Sequence, residues 1–196
     1  MRKSIKSERF ELNLLNITNE RIEYKDITAD DIIFCDGIES YDNKYFRSLP
    51  FAPNKGEALI VRIPGLRSDK IFKKSLLLAP LGEDFFWAGS NYLWDFDNDL
   101  PSQAFRERTE QQLKEWIKIP FTIEDHVAGI RPATIERRPF VGMHPTTPRV
   151  GILNGMGTKG CSLGPYFAKQ LCDHLVSGTP ILKEADIARF RNLLSR

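Results

Sequence analysis

The sequence predicts a mixed α+β / α/β fold, with an antiparallel sheet, flanking helices and one strand suited to a parallel sheet. Three observations carry this. Short stretches rich in β-branched and aromatic residues recur between turn residues over the first half of the chain. The run Ile32, Ile33, Phe34, Cys35 is apolar throughout and stops at Gly37, as in a strand buried on both faces. Two later stretches repeat apolar residues at helical spacing.

In chain order, "FELNLLNI", "RIEYKDI" and "DIIFCDG" read as strands, with Thr18-Asn19-Glu20 and Thr28-Ala29-Asp30 as turns. A loop with two prolines follows, "YDNKYFRSLPFAPNKG". Next come the strands "EALIVRI", "KSLLLAPLG" and "DFFWAGSNYLW". In "PSQAFRERTEQQLKEWIK", Pro101 suits a first helical position, Phe105, Thr109, Leu113 and Trp116/Ile117 mark one face, and Pro120 ends the helix. Residues 121–157 mix strands with prolines and glycines. A second helix is expected over 162–176, with Leu163, Phe167, Leu171 and Leu175 at four-residue steps and Gly178 as its stop. A short helix near 185–194 closes the chain.

The chain has 196 residues, 41% of them hydrophobic and 28% charged, which describes an ordinary globular protein. With 28 basic against 26 acidic side chains the net charge is +2, too balanced to argue for nucleic acid or a membrane surface as partner. Arg2, Lys3, Lys6 and Arg9 form no continuous basic block. No apolar run is long enough to cross a bilayer, and the first twenty residues carry no signal-peptide pattern. Cys35, Cys161 and Cys172 show no CxxC pair, and His126, His144 and His174 are not at ligand spacing, so neither a disulfide framework nor a metal site is expected. A cytoplasmic setting is the default expectation. Asp95, Asp97 and Asp99 have calcium-loop spacing, but Leu100 stands where glycine is needed and Arg106 where glutamate is needed; a solvated loop is expected.

"NGMGTKGCSLGP" contains Gly155-x-Gly157-x-x-Gly160, the spacing of a dinucleotide-binding loop. "RVGILN" supplies a strand before it and residues 162–176 a helix after it. The second strand with its acidic residue, about twenty positions on, is missing, and Lys159 does not complete a Walker loop. Two readings remain open here. The glycines and the following helix N-terminus can set main-chain N–H groups against an electron-rich ligand, or they form a tight turn needed for packing alone.

Taken with "GIRPATIERRPFVG" upstream, this turn resembles the C-terminal half of the FAD-dependent D-amino-acid oxidase and glycine oxidase family. "DITADDIIFCDGIES" is similar to that family's late β-meander and following strand, "PNKGEALIVRI" to the first strand of its substrate sheet, and "DFFWAGSNYLW" to a later one. The resemblance covers roughly residues 20–180. It implies a substrate-binding lobe over 46–145 and an incomplete, glutathione-reductase-like FAD-binding lobe over 8–45 and 146–180, with 181–196 as a C-terminal helix. The family's members start with a Rossmann unit whose glycine loop holds the FAD pyrophosphate. This chain is expected to be the later part of such an enzyme, binding FAD weakly or not at all by itself.

The resemblance also assigns roles. Gly155, Met156, Gly157, Thr158, Lys159, Gly160 and Cys161 would lie along the flavin's pyrimidine edge, with the helix start at Ser162 stabilising negative charge on the reduced ring. Gly129 and Arg131 would contact the cofactor, with Arg131 at the flavin's substrate side pairing with a substrate carboxylate. Tyr92 and Trp94 would line the pocket, and no catalytic acid or base is implied. The reaction implied is oxidation of an amine or amino acid by hydride transfer to flavin N5. Arg137 and Arg138 would belong to a loop near the cofactor. A non-catalytic binding domain, a homo-oligomer, and a subunit completed by a separate chain carrying the missing N-terminal half are the other readings.

Overall fold

The computed structural model describes residues 5–195; Arg2, Lys3 and Arg196 lie outside the described residues. The chain divides into two compact units, Met1–Phe51 with Thr134–Arg196, and Ala52–Ala133.

In the first unit, β1 (Leu15–Ile17), β2 (Ile22–Tyr24) and β3 (Ile27–Ala29) form an antiparallel meander. The strand expected over "FELNLLNI" is shorter than its apolar pattern, because Leu12–Leu14 curls into a 3-10 turn closed by Leu14 N–H on the Glu11 carbonyl. β4 (Ile32–Phe34) lies parallel to β11 (Val150–Asn154), with Ile33 opposite Gly151. β10 (Phe140–Met143) pairs antiparallel on the other side of β11. The apolar run that predicted a parallel strand thus finds its parallel neighbour more than a hundred residues away. Phe34, Phe46, Phe140, Val150 and Ile152 fill one core.

Helix α2 (Gly160–Ser177) packs Phe167 and Leu171 against Val141, Ile181 and Ala185, and stops at Gly178 in the left-handed conformation (φ 71°). Leu175, expected on the same face, is 41% exposed. The helix begins two residues before the expected Ser162, because a 3-10 turn over Gly157–Lys159 leads straight into it. After it, the expected last helix is split into a 3-10 turn, Ile187–Phe190, and α3 (Arg191–Leu194). Asp186, whose side chain accepts from Ala188 N–H at 2.8 Å, starts the tighter turn. Among the described residues no strand follows α2; Asp186 makes an isolated bridge to Val141.

The second unit is a five-stranded antiparallel sheet: β6 (Phe72–Lys73), β7 (Leu77–Gly82), β8 (Phe85–Gly89), β5 (Asn54–Arg62) and β9 (Thr122–Arg131), in that order across the sheet. Leu59, Val61, Ile63, Leu78 and Phe86 form its core with Phe105 and Leu113 of α1 (Gln103–Trp116). Pro101 stands outside the helix, one residue before the cap. Ser102 takes the cap position, its hydroxyl accepting from Phe105 N–H at 3.4 Å, which pushes the start past the proline.

"DFFWAGSNYLW" is a strand only as far as Gly89. A β-carbon at Gly89 would lie 2.7 Å from that of Ala58, so the two backbones are nearly in contact there. Just beyond, the Asn91 side chain takes the Glu57 N–H at 2.7 Å, where a continuing strand would offer a carbonyl. Leu93 then rejoins the sheet through a bridge to Lys55.

Candidate functional site

The expected site residues fall into two groups, one in each unit.

In the first unit, the parallel strands β4 and β11 end side by side, as strands do where open α/β sheets bind ligands. Asn154, 5% exposed, ties the two ends together: its amide donates to the Gly37 carbonyl at 2.7 Å and to Ser40 Oγ at 2.9 Å. Its own oxygen accepts from Gly155 N–H at 2.8 Å. Sequence reasoning passed over Asn154, because one polar residue at a strand end carries no signal until its partner strand is known.

Gly155 and Gly157 have φ of 77° and 54°, where other residues are strained. A β-carbon on Gly155 would also come within 2.6 Å of Thr134 Cγ2. Gly160 differs: it is helical, and a β-carbon there would meet nothing within 4 Å. The glycine spacing therefore marks two conformational requirements rather than three. Thr158, Lys159, Gly160 and Cys161 are exposed, while Met156 and Gly157 are half-buried. These exposed residues run into a helix N-terminus, where the first N–H groups have no intrahelical acceptor.

In the second unit, Arg131 is the last residue of β9, opposite Asn54 on β5. Its Nη1 donates to Asn54 Oδ1 at 2.8 Å and to the Asn91 carbonyl at 3.2 Å, and its Nη2 donates to Ser90 Oγ at 2.9 Å. Tyr92 lies against the guanidinium, 4.6 Å from Cζ to ring centroid. Of the five guanidinium N–H bonds three are thereby used among the described residues. The Nε–H and one Nη2–H remain, enough for a two-pronged bond to a carboxylate.

Gly56 makes this placement possible. A β-carbon there would sit 1.8 Å from Nη2 and 2.2 Å from Cζ, so the guanidinium occupies the space of the missing side chain. Gly129 faces Gly56 in register, but a β-carbon on it would meet nothing within 4 Å. Trp94 is 57% exposed and has neither an aromatic nor a cation contact among the described residues. Arg137 and Arg138 are exposed and make no ion pair among the described residues. No group of three or more His, Cys, Asp or Glu that could hold a metal ion is found among the described residues, the three aspartates of "WDFDNDL" included.

Beneath this second group lies a buried polar cluster that sequence reasoning missed. Glu57 is 1% and Lys55 4% exposed. Glu57 Oε2 accepts from Ser102 N–H at 2.6 Å and Oε1 from Ser102 Oγ at 2.8 Å. Burial pushes this carboxyl upward, but the two bonds from Ser102 and the charge of Lys55 outweigh it and hold it below the usual range. His126 Nε2 lies 3.1 Å from Glu57 Oε2 without its N–H aligned on that oxygen. Burial lowers its pKa despite that neighbour.

A wide groove opens between α1 and the start of β9, lined by Arg106, Lys114, Phe121 and Ile123. It is at the opposite end of β9 from Arg131, about 30 Å along the strand by extended rise, and holds none of the expected site residues.

The chain belongs to the family of FAD-dependent oxidoreductases, whose model matches residues 8–174. Its fold is similar to iminodiacetate oxidase from Chelativorans sp. BNC1, at 23% identity and a TM-score of 0.67, covering 90% of this chain and 51% of that one. It is similar to glycine oxidase from Bacillus cereus ATCC 14579, at 19% identity and a TM-score of 0.65, over 85% of this chain and 48% of that one. L-proline dehydrogenase from P. horikoshii matches at 14% identity and a TM-score of 0.71, over 91% and 53%. The chain spans about half the length of these solved structures. Among the described residues, no helix is long and apolar enough to cross a membrane.

Proposed function

We propose that this chain forms the substrate-binding part, and the ring-facing portion of the cofactor-binding part, of an enzyme that oxidises an amine or amino acid with FAD. The family supports the cofactor, and the free edge of Arg131 carries the choice of a carboxylate-bearing substrate. FAD, when bound, would supply the hydride acceptor for the carbon that bears the amine.

The chain's own residues bind and orient. Arg131, fixed by Asn54, Ser90 and Asn91, offers its two remaining N–H bonds to the substrate carboxylate. Tyr92, stacked on the guanidinium, limits how that group can turn. Trp94 is exposed and free to cover the substrate. The turn from Gly155 to Cys161 fits a planar ring with acceptor atoms along one edge. Thr158 to Cys161 are exposed, side chains are barred at Gly155, and the α2 N-terminus favours negative charge there. Thr158 and Lys159, with Met156 beside them, complete that edge.

The 46–145 and 8–45 with 146–180 lobes named above are the proposed substrate and cofactor portions. Binding of the FAD phosphates is left to a further βαβ unit, in the same polypeptide or in a partner chain. Three free cysteines fit a reducing cytoplasm.

The test is Arg131→Leu in the FAD-loaded enzyme. Losing a charged two-pronged bond of roughly 1.5–3 kcal/mol should raise the amino-acid KM by about 10- to 150-fold, with FAD content unchanged. An unchanged KM removes Arg131 from the substrate role.

A further inference from the structure

We propose that Glu57 is a positioning residue for the carboxylate-binding edge of Arg131. It holds the segment from Asn91 to Ser102 at both ends and, through Asn91, fixes the guanidinium. This rests on the reading of Arg131 just given.

A carboxylate buried in the middle of a sheet is costly unless it is fully bonded, and an apolar residue would serve a core better. The neighbouring positions bear this out: Leu59 and Val61, on the same strand, fill the core. The β5–β8 pairing over residues 58–62 needs nothing from the Glu57 side chain. What that residue does fix is the chain beyond β8. Its carboxylate Oε1 accepts from Asn91 Nδ2 at 3.5 Å, a long bond beside the 2.7 Å bond that the Glu57 main-chain N–H gives to Asn91 Oδ1. Held on both sides, Asn91 turns its carbonyl to Arg131 Nη1. At the far end, Ser102 bonds both carboxylate oxygens while capping α1. Lys55, with Nζ 3.9 Å from Oε1, donates to the Leu100 carbonyl and fixes the same end from the other side.

The segment pinned in this way carries Tyr92 under the guanidinium and Trp94 two residues on. Arg131 is thus held by Asn54, which its own strand partner β5 supplies, and by a loop that Glu57 holds. Without the second hold the guanidinium keeps its charge but loses its fixed orientation, on which a two-pronged bond depends.

The test uses the 196-residue chain and the NMR signal of the Arg131 Nε–H group, which is sensitive to the Tyr92 ring and to guanidinium bonding. Glu57→Gln keeps the shape and removes the charge. The expected result is an Arg131 signal moved toward that of free arginine, and a Kd for acetate, read at the same signal, raised about 10-fold or more. Core amide signals of Leu59 and Phe86 should stay in place. A folded Glu57→Gln chain with the Arg131 signal and acetate Kd unchanged overturns the proposal, even if its melting temperature has dropped. Should Glu57→Gln fail to fold, Asn91→Ala cuts the link while leaving Glu57 with Ser102, and the same two readouts decide. Acetate that leaves the unmodified chain's Arg131 signal unmoved counts against the carboxylate role itself. The ligand-free Arg131 signal still decides whether Glu57 positions that side chain.

Discussion

Gly56 separates what holds the sheet together from what shapes the site. Its β-carbon is excluded by the Arg131 guanidinium, the far end of a flexible side chain, and not by backbone. Gly56→Ala therefore displaces Arg131 without tearing the sheet, and strand alanine is no worse for stability than glycine. The melting temperature should stay level or rise slightly, while the amino-acid KM climbs about 10-fold or more from loss of the fixed fork. A KM at the unmodified value would show that Arg131 does not use that space. Arg131 stood out in the sequence as a candidate because "GIRP" belongs to a recognisable order of motifs, and its substrate role is the proposal tested by Arg131→Leu. Gly56 did not, since it read as the end of the proline-containing loop until β5, starting at Asn54, placed it in register beside Arg131. Glu57 looked like the polar start of a strand. Its burial follows from Ser102 and Asn91, which lie 45 and 34 positions later in the chain.

Elements were legible where their own pattern decided them, and misread where a side chain from elsewhere intervened. The apolar run of β4 and the four-residue steps of α2 produced their elements directly. β8 stopped early because Asn91 replaced a backbone partner, and α1 started late because Ser102 took the cap position. That cap is tied at once to α1 and to Glu57, so Ser102→Ala should cost at least the ~1 kcal/mol typical of a lost N-cap. Urea unfolding at neutral pH measures it. A loss below a few tenths of a kcal/mol would mean that the Glu57 bonds contribute little to holding the start of α1.

His144 in the first unit is buried and His126 in the second is half-buried, and the pKa of each lies below its ordinary value of 6.5. Burial is the larger cause for both. His126 is opposed by Glu57 and lowered further by Arg106. His144 Nδ1 accepts from Thr147 N–H at 3.1 Å, as a neutral ring does. Unfolded imidazoles therefore take up protons first as the pH falls. The stability these groups provide is complete above about pH 6.5 and is lost on acidification toward their folded values. Glu57, held below 4.5, gives up its contribution at lower pH still. The urea midpoint should thus be lower at about pH 5.5 than at pH 7.5; an equal or higher midpoint at the acid value would contradict the burial of these rings.

The antiparallel sheet, the parallel strand pair and the family were readable from the chain, whereas the internal support of the site was not. Support of that kind consists of single polar residues meeting across a sheet, and single residues leave no periodic trace. In the proposed reading the glycine turn would meet only one edge of FAD, so the 196 residues alone should bind FAD weakly; tight, stoichiometric yellow protein would contradict that.

The most direct test is anaerobic reduction of the FAD-loaded enzyme by an amino acid and by the amine lacking its carboxylate. The unmodified enzyme should be reduced at far lower concentrations of the amino acid, and Arg131→Leu should erase most of that preference. A preference for the amino acid that survives Arg131→Leu intact would contradict the assignment of carboxylate recognition to Arg131.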